Sequence, residues 1–475
     1  MSAAAMTDRA EGRDAETVAA LVARARAAME AFRNDDQGAV DDAVTALAWS
    51  IYRPERAREL AELAVAETGL GNVPDKITKN TRKTFGTLRD LLRARTVGVI
   101  EEIPEKGLVK YAKPVGVVGA VVPSTNPAAT PVNKAMMALK GGNAVIIAPS
   151  PAGLAATTRT VALMRAELAR AGHPEDLVQV LPDPVSKGLT QALMEAVDLV
   201  VVTGSQNNVR RAYSSGTPAI GVGAGTVPVI VDSSADLEDA AAKIRASKIF
   251  DNATSCSSEN ALVVLDDVYE ETIAALQAVG GYRATAAEVA LIRDNLWTCG
   301  KLNRHLIAKD AAVFAETVGL PEAARQADFF LVEDGGIGKD HPFSDEKLSL
   351  VLTVYRAKDF EDAKDKVRRI LDVKGKGHSC GIHTRDPAHA RALAEEIDVV
   401  RVLVNQAHAF GNGGAFDNGL DFTLSMGCGT WAGNSISENL NVRHFINITH
   451  LVTVIPEDRP SEDALFGPYW DRHGR

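Results

Sequence analysis

The chain has 475 residues, of which 46% are hydrophobic and 24% are charged, a composition typical of a soluble globular protein. Its 62 Asp and Glu residues outnumber 52 Lys and Arg residues, so the formal net charge is −10. No basic excess is present to bind a phosphate backbone, which argues against a nucleic-acid partner.

The N-terminal residues, about 14–70 and 74–95, are predicted to form helices because Ala and Leu recur there with charges on one face. An exposed strand is predicted at 107–114. From residue 115 onward, short runs of apolar residues alternate with helical segments. Such uninterrupted apolar runs are typical of a parallel sheet that is covered on both faces. The predicted strands are 115–122, 144–148, 177–181, 199–203 and 227–231, and the helices between the first three are 131–140 and 153–171.

A second α/β series follows, and it ends in a segment rich in Gly and Asn at 405–433. We therefore expect an α/β protein with two parallel-sheet domains. The first spans residues 1–235 and is completed by residues after about 426; the second spans 236–425. The second series comprises helices at 237–250, 269–279, 361–371 and 387–396 and strands at 261–265, 329–331, 350–355, 380–384 and 401–405, with a last strand near 444–454.

The cysteines are widely spaced, and no two have CxxC spacing. A disulfide framework or a structural zinc site is therefore not expected. Residues 1–16 contain acids and no apolar core, and the longest apolar runs are far shorter than the ~20 residues of a membrane helix. The expectation is a cytoplasmic protein with no membrane segment and no metal. The cysteines are Cys256, Cys299, Cys380 and Cys428.

Cys256 has unusual neighbours, because small and polar residues surround it in the segment Asp251–Asn260 directly before an apolar strand. A buried structural cysteine normally has apolar neighbours. A nucleophilic cysteine needs small neighbours for substrate access and nearby amides that stabilise negative charge. By local composition alone, a nucleophile and an ordinary loop cysteine both remain open.

Six further segments, in this order and spacing, resemble the aldehyde dehydrogenase superfamily, and more closely its coenzyme A-acylating branch. The resemblance covers about residues 105–450. It implies that strands 106–114 and 444–456 form an oligomerisation arm, and hence a homodimer or homotetramer. The segments are Pro114–Pro127, Lys140–Ser150, Val202–Ser205, Gly221–Val231, His341–Ser349 and Met426–Asn439.

The resemblance implies that the Cys256 thiolate attacks an aldehyde. The side-chain amide of Asn126 and the Cys256 backbone N–H would stabilise the developing oxyanion, at ~3–4 kcal/mol per donor. Hydride transfer to a nicotinamide would then leave a thioester on the cysteine. From local sequence alone, the favoured interpretation of Asn126 is a turn residue that bonds its own backbone.

The chain departs from hydrolytic relatives at Val222, which stands where they carry a water-activating Glu. No acid occurs from Thr217 to Val231. Water has a pKa of ~15.7, whereas a thiol with a pKa of ~8.5 is already partly ionised at neutral pH. A thiol acceptor, coenzyme A, is therefore expected, with an acyl-CoA product. The alternative is a hydrolytic enzyme in which another carboxylate, such as Glu259, activates water.

The dinucleotide site is marked less sharply, because no GxGxxG motif is present. NAD-preferring relatives place a Lys and a Glu around the Pro-Ser at a strand end, where this chain has Ala148 and Pro151. The missing acid makes NADP admissible beside NAD. Glu346 matches the family acid that contacts the nicotinamide ribose, although it could also be a surface residue. The predicted cofactor-binding residues are Ser124, Thr125, Ala148, Pro149, Ser150, Gly204, Ser205, Gly223 and Glu346.

The segments 405–414 and 430–437 are expected to face the aldehyde, with His408, Cys428 and Thr430 as substrate residues. Their polar character suits a short polar or anionic aldehyde. Sulfoacetaldehyde is the leading candidate because these segments resemble those of acylating dehydrogenases of that aldehyde. Acetaldehyde, propionaldehyde and succinate semialdehyde remain open. Two His and one Cys within 375–383 could suggest a metal site, but a structural connection is the favoured interpretation.

Overall fold

A computed structural model describes residues 3–33, 36–223 and 225–475, with residues 3–11 described by their backbone alone. Its helices, numbered in chain order, are α1 (Ala3–Phe32), α2 (Gln37–Tyr52), α3 (Pro54–Thr68), α4 (Val73–Arg93), α5 (Ala129–Lys140), α6 (Leu154–Ala171), α7 (Lys187–Ala196), α8 (Gln206–Tyr213), α9 (Leu237–Ile249), α10 (Tyr269–Ala278), α11 (Ala286–Leu296), α12 (Ala311–Val318), α13 (Glu322–Arg325), α14 (Phe360–Val373), α15 (Pro387–Glu396), α16 (His408–Gly411) and α17 (Glu462–His473).

The strands form three sheets and one short hairpin. They are β1 (Gly98–Ile103), β2 (Leu108–Pro114), β3 (Val117–Val121), β4 (Ala144–Ala148), β5 (Val178–Val180), β6 (Leu199–Thr203), β7 (Ala219–Val222), β8 (Pro228–Val231), β9 (Ala261–Leu265), β10 (Gly281–Arg283), β11 (Trp297–Thr298), β12 (Lys301–Leu302), β13 (Phe329–Glu333), β14 (Val351–Ala357), β15 (Cys380–His383), β16 (Val402–Val404) and β17 (Ile446–Val452).

The four N-terminal helices confirm the prediction for this region, and local capping explains their limits. The side chain of Asp36 accepts a hydrogen bond from the Ala39 N–H at 2.9 Å and starts α2. Asn72 caps α4 in the same way. Gly69 ends α3 with φ 63°, a left-handed conformation that glycine adopts without strain. Residues 34 and 35 of the predicted helical stretch lie outside the described residues.

The first sheet has five parallel strands in the order β5-β4-β3-β6-β7. Every residue of β3 and β4 is buried, as their continuous apolar sequences predict. Helices α1, α2, α5, α6 and α7 contribute apolar residues to the same core. The carboxyl ends of these parallel strands meet at one edge of the sheet, which is where open α/β sheets bind ligands.

The second sheet has seven parallel strands in the order β10-β13-β14-β9-β8-β15-β16. Successive residues of β8 enter opposite cores: Val229 and Val231 belong to one, and Ile230 to the other. This alternation is that of a strand covered on both faces. Because β8 pairs with β9 and β15, the chain changes sheets between Val222 and Pro228, ahead of the predicted domain boundary at residue 235.

The third sheet is an antiparallel arm in the order β1-β2-β17. Strands β2 and β17 coincide with the strands predicted at 107–114 and 444–454, whereas β1 was not predicted. Strand β17 pairs along its whole length with β2, and it exposes Ile448, Leu451 and Val452. No described helix is long and apolar enough to cross a membrane.

The segment before β17 returns to the first sheet and completes its core with Leu440 and Phe445. Asn143, which precedes β4, joins this segment to the sheet. Its Nδ2 donates to the carbonyl of Phe445 at 2.7 Å, and its Oδ1 accepts from the N–H groups of Val115 and Gly116.

Candidate active site

Cys256 lies in the loop between the 3-10 turn Phe250–Ala253 and β9, and it is half-buried. It lines a small cleft together with Gly225, Lys248 and Glu346. Gly225 belongs to the crossing between the two parallel sheets, so the cleft lies at their junction. The predicted nucleophile is therefore accessible from a cleft rather than enclosed in a core.

The backbone before the nucleophile is strained. Asp251, Asn252 and Ala253 have φ values of 51°, 52° and 58°, the left-handed region that residues with a Cβ rarely adopt. Side-chain bonds hold this conformation: Thr254 Oγ1 donates to the Asp251 carboxylate at 2.6 Å, and Asn252 Nδ2 donates to Asp310. Such strain persists only where the surroundings determine it, and it is concentrated at functional sites.

The surroundings of Cys256 disfavour the ionised form of its thiol. Its pKa is raised to about 12, first by burial and then by the Glu346 carboxylate and the Cys428 thiol. A hydrogen bond with Ser257 and the positive charge of Arg401 act in the opposite direction. Ionisation of Cys256 therefore depends on the charges around the cleft and on what enters it.

Glu346 is the acid in the Cys256 cleft, and only 8% of its surface is exposed. Burial raises its pKa to about 7, while the nearby ammonium of Lys374 opposes that rise. The Lys374 Nζ lies 3.7 Å from a Glu346 carboxylate oxygen and 3.0 Å from Asp345. The structure thus brings Glu346 to Cys256, so this Glu is not a surface residue.

Asn126 lies in the turn after β3, at the edge of the first sheet where the carboxyl ends of the strands meet. Its Nδ2 makes one long bond, 3.4 Å to Thr125 Oγ1, and its Oδ1 is buried without a hydrogen-bond partner among the described residues. The amide is therefore not used in holding the turn closed, which leaves its N–H groups available to a ligand. The interpretation as an ordinary turn residue is not supported by these contacts.

The other predicted nucleotide residues follow the carboxyl ends of four neighbouring parallel strands, so the structure brings them to one edge. Gly204 has φ 147°, and a Cβ added there would meet only Pro123, at 3.9 Å. This leaves open space where a phosphate could approach the backbone. A Cβ on Gly223 would clash with the Gln206 amide. These features fit a dinucleotide. The residues are Ser124 and Thr125 after β3, Ala148, Pro149 and Ser150 at β4, Gly204 and Ser205 after β6, and Gly223 after β7.

An acid that the sequence did not reveal lies at the start of α6. The Glu67 carboxylate, at the end of α3, accepts hydrogen bonds from the N–H groups of Ala155 and Ala156 at 2.8 and 3.0 Å. Arg159 on α6 is paired with Glu59. An anion approaching this helix end would compete with the Glu67 carboxylate for the same N–H groups.

The three predicted substrate residues are not brought together in the Cys256 cleft. His408 is buried, and its Nε2 lies 2.9 Å from Ser379 Oγ. Cys428 is buried as well and contacts the carbonyl of Met426. Thr430 is exposed and lines a separate cleft with Trp431 and its neighbours. The described residues contain no cluster of three His, Cys, Asp or Glu side chains that could hold a metal.

Glu259, the alternative water-activating acid, is fully buried and is not among the residues that line the Cys256 cleft. One of its carboxylate oxygens accepts the backbone N–H of His408 at 2.9 Å. Val222 ends β7 in a buried position. The segment that follows instead brings Gly225 against the ring of His378, a buried imidazole whose Nε2 has no partner in the described structure. His378 belongs to the segment 375–383, for which the sequence favoured a structural connection.

The sequence and structure have clear relatives. The model of the aldehyde dehydrogenase family matches residues 3–281. The chain belongs to the aldehyde dehydrogenase family. It is therefore an oxidoreductase that acts on aldehyde groups, and the resemblance seen in its motifs is confirmed.

A sulfoacetaldehyde dehydrogenase (acylating) of Cupriavidus necator is 55% identical over 462 residues, covering 97% of this chain and 94% of the relative. Among solved structures, an acetylating aldehyde dehydrogenase from Geobacillus thermoglucosidasius has a TM-score of 0.90 at 33% identity, covering 95% of this chain and 99% of that one. A propionaldehyde dehydrogenase of Rhodopseudomonas palustris with bound propionyl-CoA has a TM-score of 0.82 at 26% identity, covering 92% and 94%. The predicted fold class is confirmed.

Proposed function

We propose that this protein is a CoA-acylating aldehyde dehydrogenase that oxidises a short anionic aldehyde, with sulfoacetaldehyde as the leading candidate, to its acyl-CoA. The observation that carries the proposal is the Cys256 cleft at the junction of the two sheets, with no acid in the described residues of the crossing segment. The 55% identity to an acylating sulfoacetaldehyde dehydrogenase supports the choice of acceptor and substrate.

In this proposal Cys256 is the nucleophile and Asn126 is an oxyanion donor. The Asn126 amide, free of strong protein bonds, and the Cys256 N–H stabilise negative charge on the aldehyde oxygen when the thiolate attacks. A nicotinamide dinucleotide, NAD or NADP, supplies a hydride acceptor when it is bound. Gly204, Ser205 and the edge residues would hold its phosphates, and Glu346 would contact its nicotinamide ribose.

A thiol completes the reaction by attacking the acyl group on Cys256 and releasing the enzyme thiol. Coenzyme A fits this step because a thiol needs a weaker base than water does. His378 is held neutral, since burial lowers its pKa well below the ordinary value. This lowered pKa makes the imidazole a weak base, and the proton of the incoming thiol is therefore not assigned to it.

Two buried cations favour an anionic aldehyde. Lys248 lines the cleft, and its Nζ donates to one protein acceptor, the backbone carbonyl of Glu259, at 2.9 Å. Arg401, 4% exposed, donates to Asn439 and to the carbonyls of His378 and Gly427, with no carboxylate partner in the described structure. Burial lowers the pKa of Lys248 to about 7 and the Glu259 carboxylate opposes that fall, whereas Arg401 has no acid partner among the described residues. A sulfonate or carboxylate near Arg401 would therefore gain Coulomb energy.

A hydrolytic dehydrogenase is the second candidate, because Glu346 lies in the same cleft as Cys256. With a pKa of about 7, this acid is partly ionised at neutral pH and could activate water. CoA dependence separates the two functions, since a hydrolytic enzyme forms NAD(P)H repeatedly without CoA.

The test is NAD(P)H absorbance with sulfoacetaldehyde, acetaldehyde, propionaldehyde, succinate semialdehyde and a long-chain aldehyde, with and without CoA. Multiple turnovers should require CoA, mass spectrometry should detect the acyl-CoA, and Cys256→Ser should abolish both. Multiple turnovers to free acid without CoA, or equal turnover of the long-chain aldehyde, would contradict the proposal. Both NAD and NADP belong in the assay.

The assembly and compartment belong to the same proposal. The exposed apolar residues Ile448, Leu451 and Val452 on the outer strand β17 support a homodimer or homotetramer formed through the arm, because such edges are usually covered. In the same proposal the enzyme is cytoplasmic, the domain of the first sheet binds the dinucleotide, and the domain of the second sheet carries the nucleophile Cys256. The mass in solution at low micromolar concentration tests the assembly, and a monomer would contradict it.

A further inference from the structure

Lys76, on the first turn of α4, belongs to a buried charged cluster that no sequence motif suggested. The Lys76 cluster consists of Lys76, Lys79, Asp251, Thr254 and the carbonyl of Thr125. Lys76 Nζ donates to the Thr125 carbonyl at 3.1 Å and to Asp251 Oδ2 at 3.0 Å. Lys79 Nζ donates to the same Asp251 oxygen and, at 3.1 Å, to Thr254 Oγ1. Asp251 is fully buried, and the two lysines are 3% and 5% exposed.

The start of α4 determines where Asp251 lies. Its Oδ1 accepts the backbone N–H of Asn72 at 3.1 Å, and its own N–H donates to Asp75 Oδ2 at 2.7 Å. Gly71 leaves the space for this carboxylate, since a Cβ there would clash with it. The strained turn before the nucleophile is thus attached to α4, in addition to the bond that Asn252 makes with Asp310.

Stability alone does not account for the cluster. Two buried ammonium groups share one fully buried carboxylate, and burial together with repulsion from Lys79 lowers the Lys76 pKa to about 8. Buried ion pairs of this kind are often no more stable than apolar residues of the same size, because desolvation offsets their attraction. Apolar residues, however, could not make the hydrogen bonds by which Lys76 contacts two separate loops.

The two loops that Lys76 joins carry the two oxyanion donors of the proposed function. Asn126 follows β3 of the first sheet, and Cys256 precedes β9 of the second. Lys76 bonds the residue before Asn126 and the carboxylate of the strained turn before Cys256. Its ammonium is therefore a direct bridge between the two halves of the oxyanion site.

We propose that Lys76 is a positioning residue that sets the separation of the Asn126 amide and the Cys256 loop; this rests on the proposed function, which makes Asn126 an oxyanion donor. The ammonium does not touch the reacting atoms. It acts by holding both loops to one helix. Because a displacement of ~1 Å at a catalytic group can cost ~100-fold in rate, loss of the bridge should act on turnover.

The test is a double-mutant cycle with Lys76→Met and Asn126→Ala, measured by NAD(P)H formation with sulfoacetaldehyde and CoA. Lys76→Met should lower kcat ~10- to 100-fold and change the aldehyde KM less than threefold. In the Asn126→Ala background, Lys76→Met should cause less than a threefold further loss, because the donor it positions is already absent. Alkylation of Cys256 by iodoacetamide, which uses no oxyanion donor, should keep its wild-type rate.

Lys364→Met is the matched control, because the Lys364 side chain is 3% exposed and pairs with Glu361 and Glu396, and none of the three residues lines the Cys256 cleft. It should retain the wild-type kcat. Losses that multiply in the double variant, or alkylation that falls with kcat, would overturn the role of Lys76 and leave the proposed function standing. Unchanged kcat in Asn126→Ala would overturn both. If Lys76→Met does not fold, Lys76→Gln enters the same cycle, with the same outcomes deciding.

Discussion

Replacing Asn126 with alanine should lower the rate of catalysis and leave the stability of the fold nearly unchanged. In the folded protein its Nδ2 makes one bond of 3.4 Å, and its buried Oδ1 has no partner among the described residues. The side chain therefore contributes little to folding, and its removal should change the free energy of unfolding by less than about 1 kcal/mol. Loss of an oxyanion donor costs ~3–4 kcal/mol in the transition state, which lowers the hydride-transfer rate ~100- to 1000-fold.

The assay is the rate of the first NAD(P)H turnover in a stopped-flow instrument, together with urea unfolding. Asn143→Ala is the matched control, and we expect it to affect stability and not catalysis. The Asn143 Oδ1 accepts two backbone N–H groups, and its Nδ2 donates to two backbone carbonyls. The variant should lose more than about 2 kcal/mol of stability and retain the rate of the folded enzyme. An Asn126→Ala variant with at least a fifth of the wild-type rate, or with a stability loss equal to that of Asn143→Ala, would refute the reasoning.

Three further changes test the surroundings of the nucleophile. Glu346→Gln removes a carboxylate that raises the Cys256 pKa, so iodoacetamide should alkylate Cys256 of the variant several-fold faster than that of the wild type at pH 8. Below pH 7 the wild-type carboxyl is also mostly neutral, and the two alkylation rates should converge. Equal alkylation rates at pH 8 would contradict this. Ala253→Gly relieves a left-handed φ of 58° and should raise the free energy of unfolding by about 1 kcal/mol in urea titration, whereas a decrease would count against the strain. Gly225→Ala places a Cβ 2.5 Å from the buried imidazole of His378 and should lower kcat at least tenfold. Gly335 has open space around it, so the control Gly335→Ala should retain activity. Comparable kcat values for the two variants would contradict the packing argument.

Much of the fold is visible in the sequence because it depends on local pattern. Strands β3, β4 and β6 are uninterrupted apolar runs, and such runs have few alternatives to a covered parallel sheet. Cys256 and Asn126 could be named because a polar loop beside an apolar strand is unusual and the family motif orders both. The predicted nucleotide residues lie at one edge since they all follow strands of one sheet.

The remaining features depend on contacts between distant segments, which local pattern does not record. Glu67 reaches the start of α6 from α3, and no spacing rule links the two. Lys76 looks like one of several lysines on an amphipathic helix until Asp251 is seen beside it. Strand β8 was assigned to the wrong series because an apolar strand does not indicate which sheet it joins, and β1, half-exposed, has no continuous apolar run.

The late return of the chain to its first core has a consequence for synthesis on the ribosome. Leu440 and Phe445 pack with core residues between positions 18 and 220, which are synthesised much earlier. The Asn143 amide cannot form its bond with the Phe445 carbonyl until that residue has been added to the chain. At ~5–20 residues per second, the interval between translation of β7 and of these closing residues lasts roughly 11 to 45 seconds. Throughout that time the first sheet lacks two of the residues that complete its core, so apolar surface that is buried in the folded protein is exposed in the nascent chain.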